Sequence, residues 1–330
     1  MSITNPSACT VGFLVLNNFT LMSHASAVEP LRMANHLSNR TLYRWKTISI
    51  TGDPVTASDG MQITPDHSIE TDEKFDLIVV CGGLEVKQQY NRRLLQWLQR
   101  QARLKTPLAA ICTGSYVLAK AGLLGGYRCT IHWENMASFK EEFPHIMVTN
   151  HIYSVDRDRL TCSGGTAPLD MMLNVIANTH GRELSASISE MFVHDRVRNE
   201  VEQQRVPLRH TLGISQPKLV EIVALMEANL EETISLDDLA SYVGLSRRQL
   251  ERLFLKYLDC SPSRYYLKLR LQRARQLLQQ TNLSIIEIAA ACGFISTPHF
   301  SKRYRDCFGI PPRDERLGLQ IRTQPVAMAS

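Results

Sequence analysis

The sequence predicts two domains of different class, an α/β domain followed by an all-α domain built on two helix-turn-helix units. Three observations predict this. The 330 residues exceed one ordinary domain and are enough for two hydrophobic cores. Strand and helix patterns alternate from Cys9 to about Asn178, the order of a largely parallel sheet covered by helices. Two segments nearer the C-terminus then match each other about 50 residues apart.

In the first domain, residues 11–16 form an apolar strand, 22–37 a helical pattern and 45–50 a second strand. A strand at 75–80 runs into Cys81-Gly82-Gly83, and a helical pattern covers 85–103. The strand at 107–111 turns abruptly into a helix at 113–121, with Cys112 at the junction. A strand at 159–162, Gly164-Gly165 and a helix at 169–179 close the alternation. An elbow of this kind aims a side chain at a helix N-terminus, which lowers a thiol's pKa and makes it a nucleophile or an anion's neighbour. A plain need for a small residue explains the same position equally well. His132 follows twenty residues later and is a candidate partner, although a lone histidine is usually structural.

The repeat is read from residues 235–262 (SLDDLASYVGLSRRQLERLFLKYLDCSP) and 284–312 (SIIEIAAACGFISTPHFSKRYRDCFGIPP). Ala240, Gly244 and Leu245 align with Ala289, Gly293 and Phe294 at an offset of 49. After a one-residue insertion, Leu250, Phe254, Leu258 and Pro262 align with Phe300, Tyr304, Phe308 and Pro312 at an offset of 50. Ser235 with Asp238 and Ser284 with Glu287 have capping-box spacing, so each first helix has a marked start. Gly244 and Gly293 end those helices at the turn. Ser246, backed by Gln249, and Ser296, followed by Pro298, are expected to cap the second helices. Between the copies, Ser261 and Pro262 open a helix to about Thr281, roughly 27 Å long. That length suits two recognition helices in successive major grooves, about 34 Å apart.

Each second helix has an apolar face at helical spacing, and the opposite face is polar. It carries Arg247, Arg248, Glu251, Arg252 and Lys256 in the first copy, and Thr297, His299, Ser301, Lys302, Arg303 and Arg305 in the second. Residues 205–316 hold 17 Lys plus Arg against 12 Asp plus Glu, which accounts for the whole net charge of +5. Between Arg247 and Arg275, nine basic residues stand against Glu251 and Asp259. Two matching polar faces behind two matching turns imply a surface for double-stranded DNA.

Composition excludes several other classes. Hydrophobic residues make up 44% and charged residues 21%, as in a folded globular chain, and no apolar run approaches membrane-spanning length. The first ten residues have no signal-peptide pattern, so a cytoplasmic location is expected. The eight cysteines (Cys9, Cys81, Cys112, Cys129, Cys162, Cys260, Cys292 and Cys307) contain no Cys-x-x-Cys pair, and reduced thiols with no metal or cofactor are expected.

Residues 217–316, through the pattern SIIEIAAACGFISTPHFSKRYRDCFGIPPRDER, resemble the AraC/XylS family of transcription activators. The resemblance implies a seven-helix domain whose base-facing residues are Arg248, Glu251 and Arg252, then Thr297, His299 and Lys302. Residues 9–196 resemble the DJ-1/PfpI branch of the class I glutamine amidotransferase-like fold, a flavodoxin-like α/β domain. Cys112 and His132 have the family's spacing. The carboxylate that usually approaches the cysteine is replaced by Ser23, with Glu29 one and a half turns further along, and its loss argues for binding without turnover.

The union of the two domains, including ASAVEPLRMAN, GGTAPLDMML and SRRQLERLF, resembles a subgroup of regulators of arginine, glycine betaine and carnitine catabolism, nearest the glycine betaine-responsive members. That implies a ligand-controlled activator with a small amine or amino-acid-like effector, contact with RNA polymerase, and a homodimer. The domains then fall at 9–196 for sensing, 197–216 for a linker, 217–316 for DNA and 317–330 for a flexible tail. An effector of betaine type needs a carboxylate site, for which the amides of Thr113 and Gly114 are candidates. Its quaternary ammonium needs aromatic faces, with Phe19 and Trp133 as candidates and Glu29 as counter-charge. The rival is a cysteine hydrolase, deglycase or amidotransferase using Cys112 and His132, with a DNA-binding domain appended.

Overall fold

The computed structural model describes residues 8–204 and 216–317. The chain divides into two units between Gln204 and Arg205. The first is organised by strands whose successive side chains enter opposite cores. In β1 (Cys9–Val15), Val11, Phe13 and Val15 join one buried cluster while Leu14 joins the other. The same alternation runs through β6 (Leu77–Cys81) and β7 (Leu108–Ile111), each buried at every position. Strands buried on both faces read as continuous apolar runs, which is why these were visible in the sequence.

The main sheet also contains β2 (Tyr43–Ser49), β5 (His67–Ser68), β10 (Tyr153–Asp156) and β11 (Arg159–Cys162). Its order is β10-β11-β7-β6-β1-β2-β5, parallel throughout except for β10 against β11. Two-residue pairs complete the strands: β3 (Val55–Thr56) with β4 (Gln62–Ile63), and β8 (Arg128–Cys129) with β9 (Met147–Val148). Helices α1 (Leu21–Ser38), α5 (Ala167–His180) and α6 (Arg182–Met191) feed Ala27, Leu31, Met172, Ile176 and Ile188 into one core. Helices α2 (Arg92–Arg103), α3 (Gly114–Lys120) and α4 (Met136–Glu142) feed Leu94, Trp97, Val117, Leu118 and Phe139 into the other. Apart from the single methyl of Ala27, each such side chain contributes about 1.5–3 kcal/mol on burial.

Three expectations are corrected. The helix expected over 85–103 is interrupted: a short 3₁₀ turn (Val86–Gln88) precedes α2, which starts afresh where the Asn91 side chain accepts from the Leu94 amide. Part of the segment expected as linker, 197–204, is held by the first unit. Gln204 Nε2 donates to Thr130 Oγ1 and the Ile131 carbonyl, and the Ile152 amide donates to the Glu202 carbonyl, so the segment to 204 is stitched to the first unit. The rest of that linker, 205–215, and 318–330 of the expected tail lie outside the described residues.

The third correction concerns Ser296, which stands at the N-cap position of its helix without making the side-chain bond, whereas Ser246 and Ser284 both form full capping boxes. Ser235 accepts from the Asp238 amide as expected.

The second unit has seven described helices: α7 (Pro217–Ala228), α8 (Leu236–Tyr242), α9 (Arg247–Leu258), α10 (Pro262–Gln280), α11 (Ile285–Ala291), α12 (Thr297–Phe308) and α13 (Pro312–Arg316). Leu219, Ile222, Leu239, Leu250 and Phe254 form the core of the first copy with Tyr266 and Leu269 of α10. In the second copy Phe294, Phe300, Tyr304 and Phe308 stack in series at 4.7–5.7 Å. Gly293 turns with φ +72, and a Cβ there would lie 2.6 Å from the Glu231 carbonyl oxygen, so both conformation and space demand glycine.

Candidate functional site

In the first unit the site is the elbow. Cys112 takes φ +59, the left-handed region that a non-glycine residue enters at a cost of about 1–3 kcal/mol. The conformation turns its sulfur toward the start of α1, where Thr20 Oγ1 stands 3.6 Å away. Gly164, at φ +96, passes so close that a Cβ would meet Cys112 Cβ at 2.9 Å. The His132 amide donates to the Cys112 carbonyl at 3.3 Å, so the two expected partners are adjacent. Among the described residues no hydrogen bond joins the imidazole to the thiol. The ring instead faces Glu134, with Nδ1 3.7 Å from a carboxylate oxygen.

The expected lowering of the thiol's pKa is overturned. Burial pushes the Cys112 thiol up, outweighing the hydrogen bonds from Thr20 and the Thr113 amide, and the charge of Glu134 adds to the rise. Burial also lowers His132, against the opposing pull of Glu134. At neutral pH the pair is a thiol and a neutral imidazole, which lacks the ionised nucleophile that cysteine catalysis requires. Ser23 is fully buried in α1, its hydroxyl without a partner among the described residues.

Two of the three ring and charge candidates are engaged elsewhere. Phe19 is 0% exposed, bridged by backbone to Ala57 and Gly83 and edge-on to His24, so it belongs to the core. Glu29 forms an ion pair with Arg32, one turn along the outer face of α1, so it is no counter-charge for the elbow. Thr113 and Gly114 are both buried. The Thr113 amide already bonds the sulfur, and Gly82 presses on Gly114 so closely that a Cβ there would lie 2.4 Å from its nitrogen. That pair offers no open anion site. Trp133 is half-buried on the 3₁₀ turn Trp133–Asn135, its ring 5.7 Å from that of His132. Sequence reasoning missed Thr20, Glu134 and Gly164. Glu134, two residues beyond His132, was the readable one.

In the second unit, α9 and α12 present the polar faces expected. Arg248, Arg252 and Lys256 are exposed, and Arg248 and Arg252 have no ion-pair partner among the described residues. Arg247 differs: it holds Asp237 of α8 at 2.9 Å and Glu251 at 3.4 Å, tying the two helices of the first copy together. On α12, Lys302 and His299 are exposed while Thr297 and Ser301 are half-buried. Arg303 Nε donates to His299 Nε2 at 3.4 Å. Arg270 of α10 reaches across to donate to the carbonyls of Cys292 and Gly293, fixing the second turn.

Residues 239–317 match the family described as Helix-turn-helix domain, and residues 12–178 the DJ-1/PfpI family. The fold, the paired polar helices and these two family matches together define a ligand-responsive, DNA-binding regulator of transcription. The chain is 62% identical over 324 residues to the HTH-type transcriptional regulator GbdR of Pseudomonas aeruginosa, covering 98% of this chain and 88% of that one. It is 43% identical to the HTH-type transcriptional regulator CdhR of the same species, over 94% and 92% of the two chains. A solved AraC family transcriptional regulator from Pseudomonas putida is 28% identical with a TM-score of 0.52, covering 56% of this chain and 99% of that one. The chain belongs to the AraC-type helix-turn-helix transcriptional regulators that carry a DJ-1/PfpI domain. Members so named are regulators, and this chain is a regulator rather than an enzyme.

Proposed function

We propose that the chain is a cytoplasmic activator of genes for the catabolism of a quaternary-ammonium or amino-acid-like compound of glycine betaine type, which its first domain binds at the elbow. The observation that carries this is the elbow's chemistry. A thiol kept protonated by burial adjoins His132, whose ring lies against the Trp133 indole and the Glu134 carboxylate, which supports a zwitterion being held there and not attacked. The ammonium group fits the Trp133 face, worth about 0.5–2 kcal/mol, with Glu134 as counter-charge in place of Glu29. Thr20 and His132 supply polar partners for the carboxylate. The regulator works as a homodimer on two-fold related half-sites. Arg248, Glu251, Arg252, Thr297, His299 and Lys302 face base edges, Arg247, Lys256, Ser301 and Arg303 flank them, and activation proceeds through contact with RNA polymerase.

Calorimetric titration of the full chain with glycine betaine, dimethylglycine, carnitine and arginine tests the reading. A methylated amine is expected to bind, and Trp133→Ala to weaken it by about 2- to 30-fold with the melting temperature of the unliganded protein unchanged. A strongly destabilised Trp133→Ala protein with normal affinity assigns that ring to the core and defeats the cage. Cys112→Ser should keep the ligand response. Turnover of the inducing compound, abolished by Cys112→Ser, would restore the enzymatic reading.

A further inference from the structure

The two copies differ by one residue in their turns. In the first, Leu245 is followed directly by Ser246, the N-cap of α9. In the second, Phe294 takes the inward place of Leu245, packed 5.1 Å from Phe300 and covered by the Arg270 guanidinium at 4.1 Å. The chain then inserts Ile295 before Ser296. Its side chain is 105% exposed, a branched apolar group held in water at the mouth of the recognition helix. At that exposure no packing among the described residues explains its identity, so stability of the turn does not account for it.

We infer that Ile295 is a specificity residue that reads the C5-methyl of a thymine in the major groove. The inference rests on the reading of α12 as a base-facing helix. Recognition helices meet base edges with their N-terminal residues, and Ile295 stands one step before the N-cap, continuous with Thr297 and His299. Hydrogen-bonding groups line the major groove, and the thymine methyl is the apolar group among them. An isoleucine cannot read a donor or an acceptor but can bury that methyl. Its branched Cβ restricts χ1, so little side-chain entropy is lost when the contact forms.

The test uses the full chain and an operator selected by it from random duplexes. Each thymine in the operator is replaced in turn by deoxyuridine, which lacks only the methyl. One replacement is expected to weaken the wild-type protein about fourfold, the effect of one buried methyl-sized group. Ile295→Ser should lose about the same factor or somewhat more on the unmodified operator, be indifferent to that same deoxyuridine, and keep the wild-type melting temperature. Unchanged affinity of Ile295→Ser, or an undiminished deoxyuridine effect in that variant, overturns the inference. So does a loss of transcription at unchanged affinity, which places the side chain against protein. His299→Ala and Lys302→Ala are measured alongside. If they weaken binding while Ile295→Ser does not, only the thymine contact is wrong; if none of the three matters, α12 does not read DNA and the broader reading falls with it.

Discussion

Asp170 lies in α5, is 0% exposed, and uses both carboxylate oxygens. Oδ1 accepts from the Arg198 amide at 2.7 Å and sits 3.0 Å from His194 Nε2, while Oδ2 accepts from Arg198 Nε at 3.0 Å and Nη2 at 2.6 Å. This carboxylate pins the segment that follows α6 to the first unit. Removing one partner of a buried pair costs about 3–5 kcal/mol. The Arg198 side chain is 29% exposed and can recover water when released, so Asp170→Ala should fall at the lower end, about 3 kcal/mol. For a domain of this size that is a fall of about 6–12 °C in melting temperature. Scanning calorimetry of the full chain should show the α/β transition move and the helical transition hold. Asp170→Asn should recover part of the loss, because its amide oxygen still accepts from Arg198. A shift under about 2 °C for Asp170→Ala would show that the carboxylate does not hold the segment, and the reasoning from burial would be refuted.

Arg248→Ala and Arg252→Ala should each cost about 1–3 kcal/mol on operator DNA and less on random duplex, and equal losses in gel-shift titrations on both would reduce them to phosphate contacts. Gly293→Ala should destabilise the helical unit by about 2 kcal/mol or more, from its positive φ and the carbonyl 2.6 Å from the new Cβ. Gly244→Ala, with φ +62 and open space, should cost only about 1 kcal/mol, and a thermal-melt comparison in which the two are equal removes the steric argument. Burial lowers His24 from 6.5 to about 4. Between those values the unfolded chain binds a proton that the folded chain refuses, so stability falls as pH is lowered through the window, by up to about 3 kcal/mol. His24→Phe, whose ring suits the edge-on contacts with Phe13 and Phe19, should flatten that part of the denaturant-derived pH profile.

What the sequence determined by itself was carried by signals that act within a turn or two of chain. Ser246 with Gln249 and Ser284 with Glu287 cap their helices because donor and acceptor lie three residues apart. The apolar runs at 77–81 and 108–111 are buried strands because both faces of the sheet are covered. The repeat, with its paired glycines and polar faces, was legible because the same local rules were written twice. The interruption before α2 was not legible: the periodic pattern runs across it, and the Asn91 cap that restarts the helix shows only in the structure.

Tertiary structure decided the rest, above all at the elbow. The local rule for a thiol at a helix start lowers its pKa, yet burial by elements far along the chain raises it, with Thr20, 92 residues away, against the sulfur. Phe19 and Trp133 looked alike as rings near the elbow, but long-range packing sealed one in the core and left the other half-exposed. Glu29 is spent on Arg32, while the turn after His132 carries Glu134 to the imidazole, from where its charge reaches the thiol. Capping bonds and helical periods are set by neighbours in sequence, so residue order alone determines them. Desolvation and the reach of a charge depend on which distant segments exclude water from a site, and only the folded chain determines that.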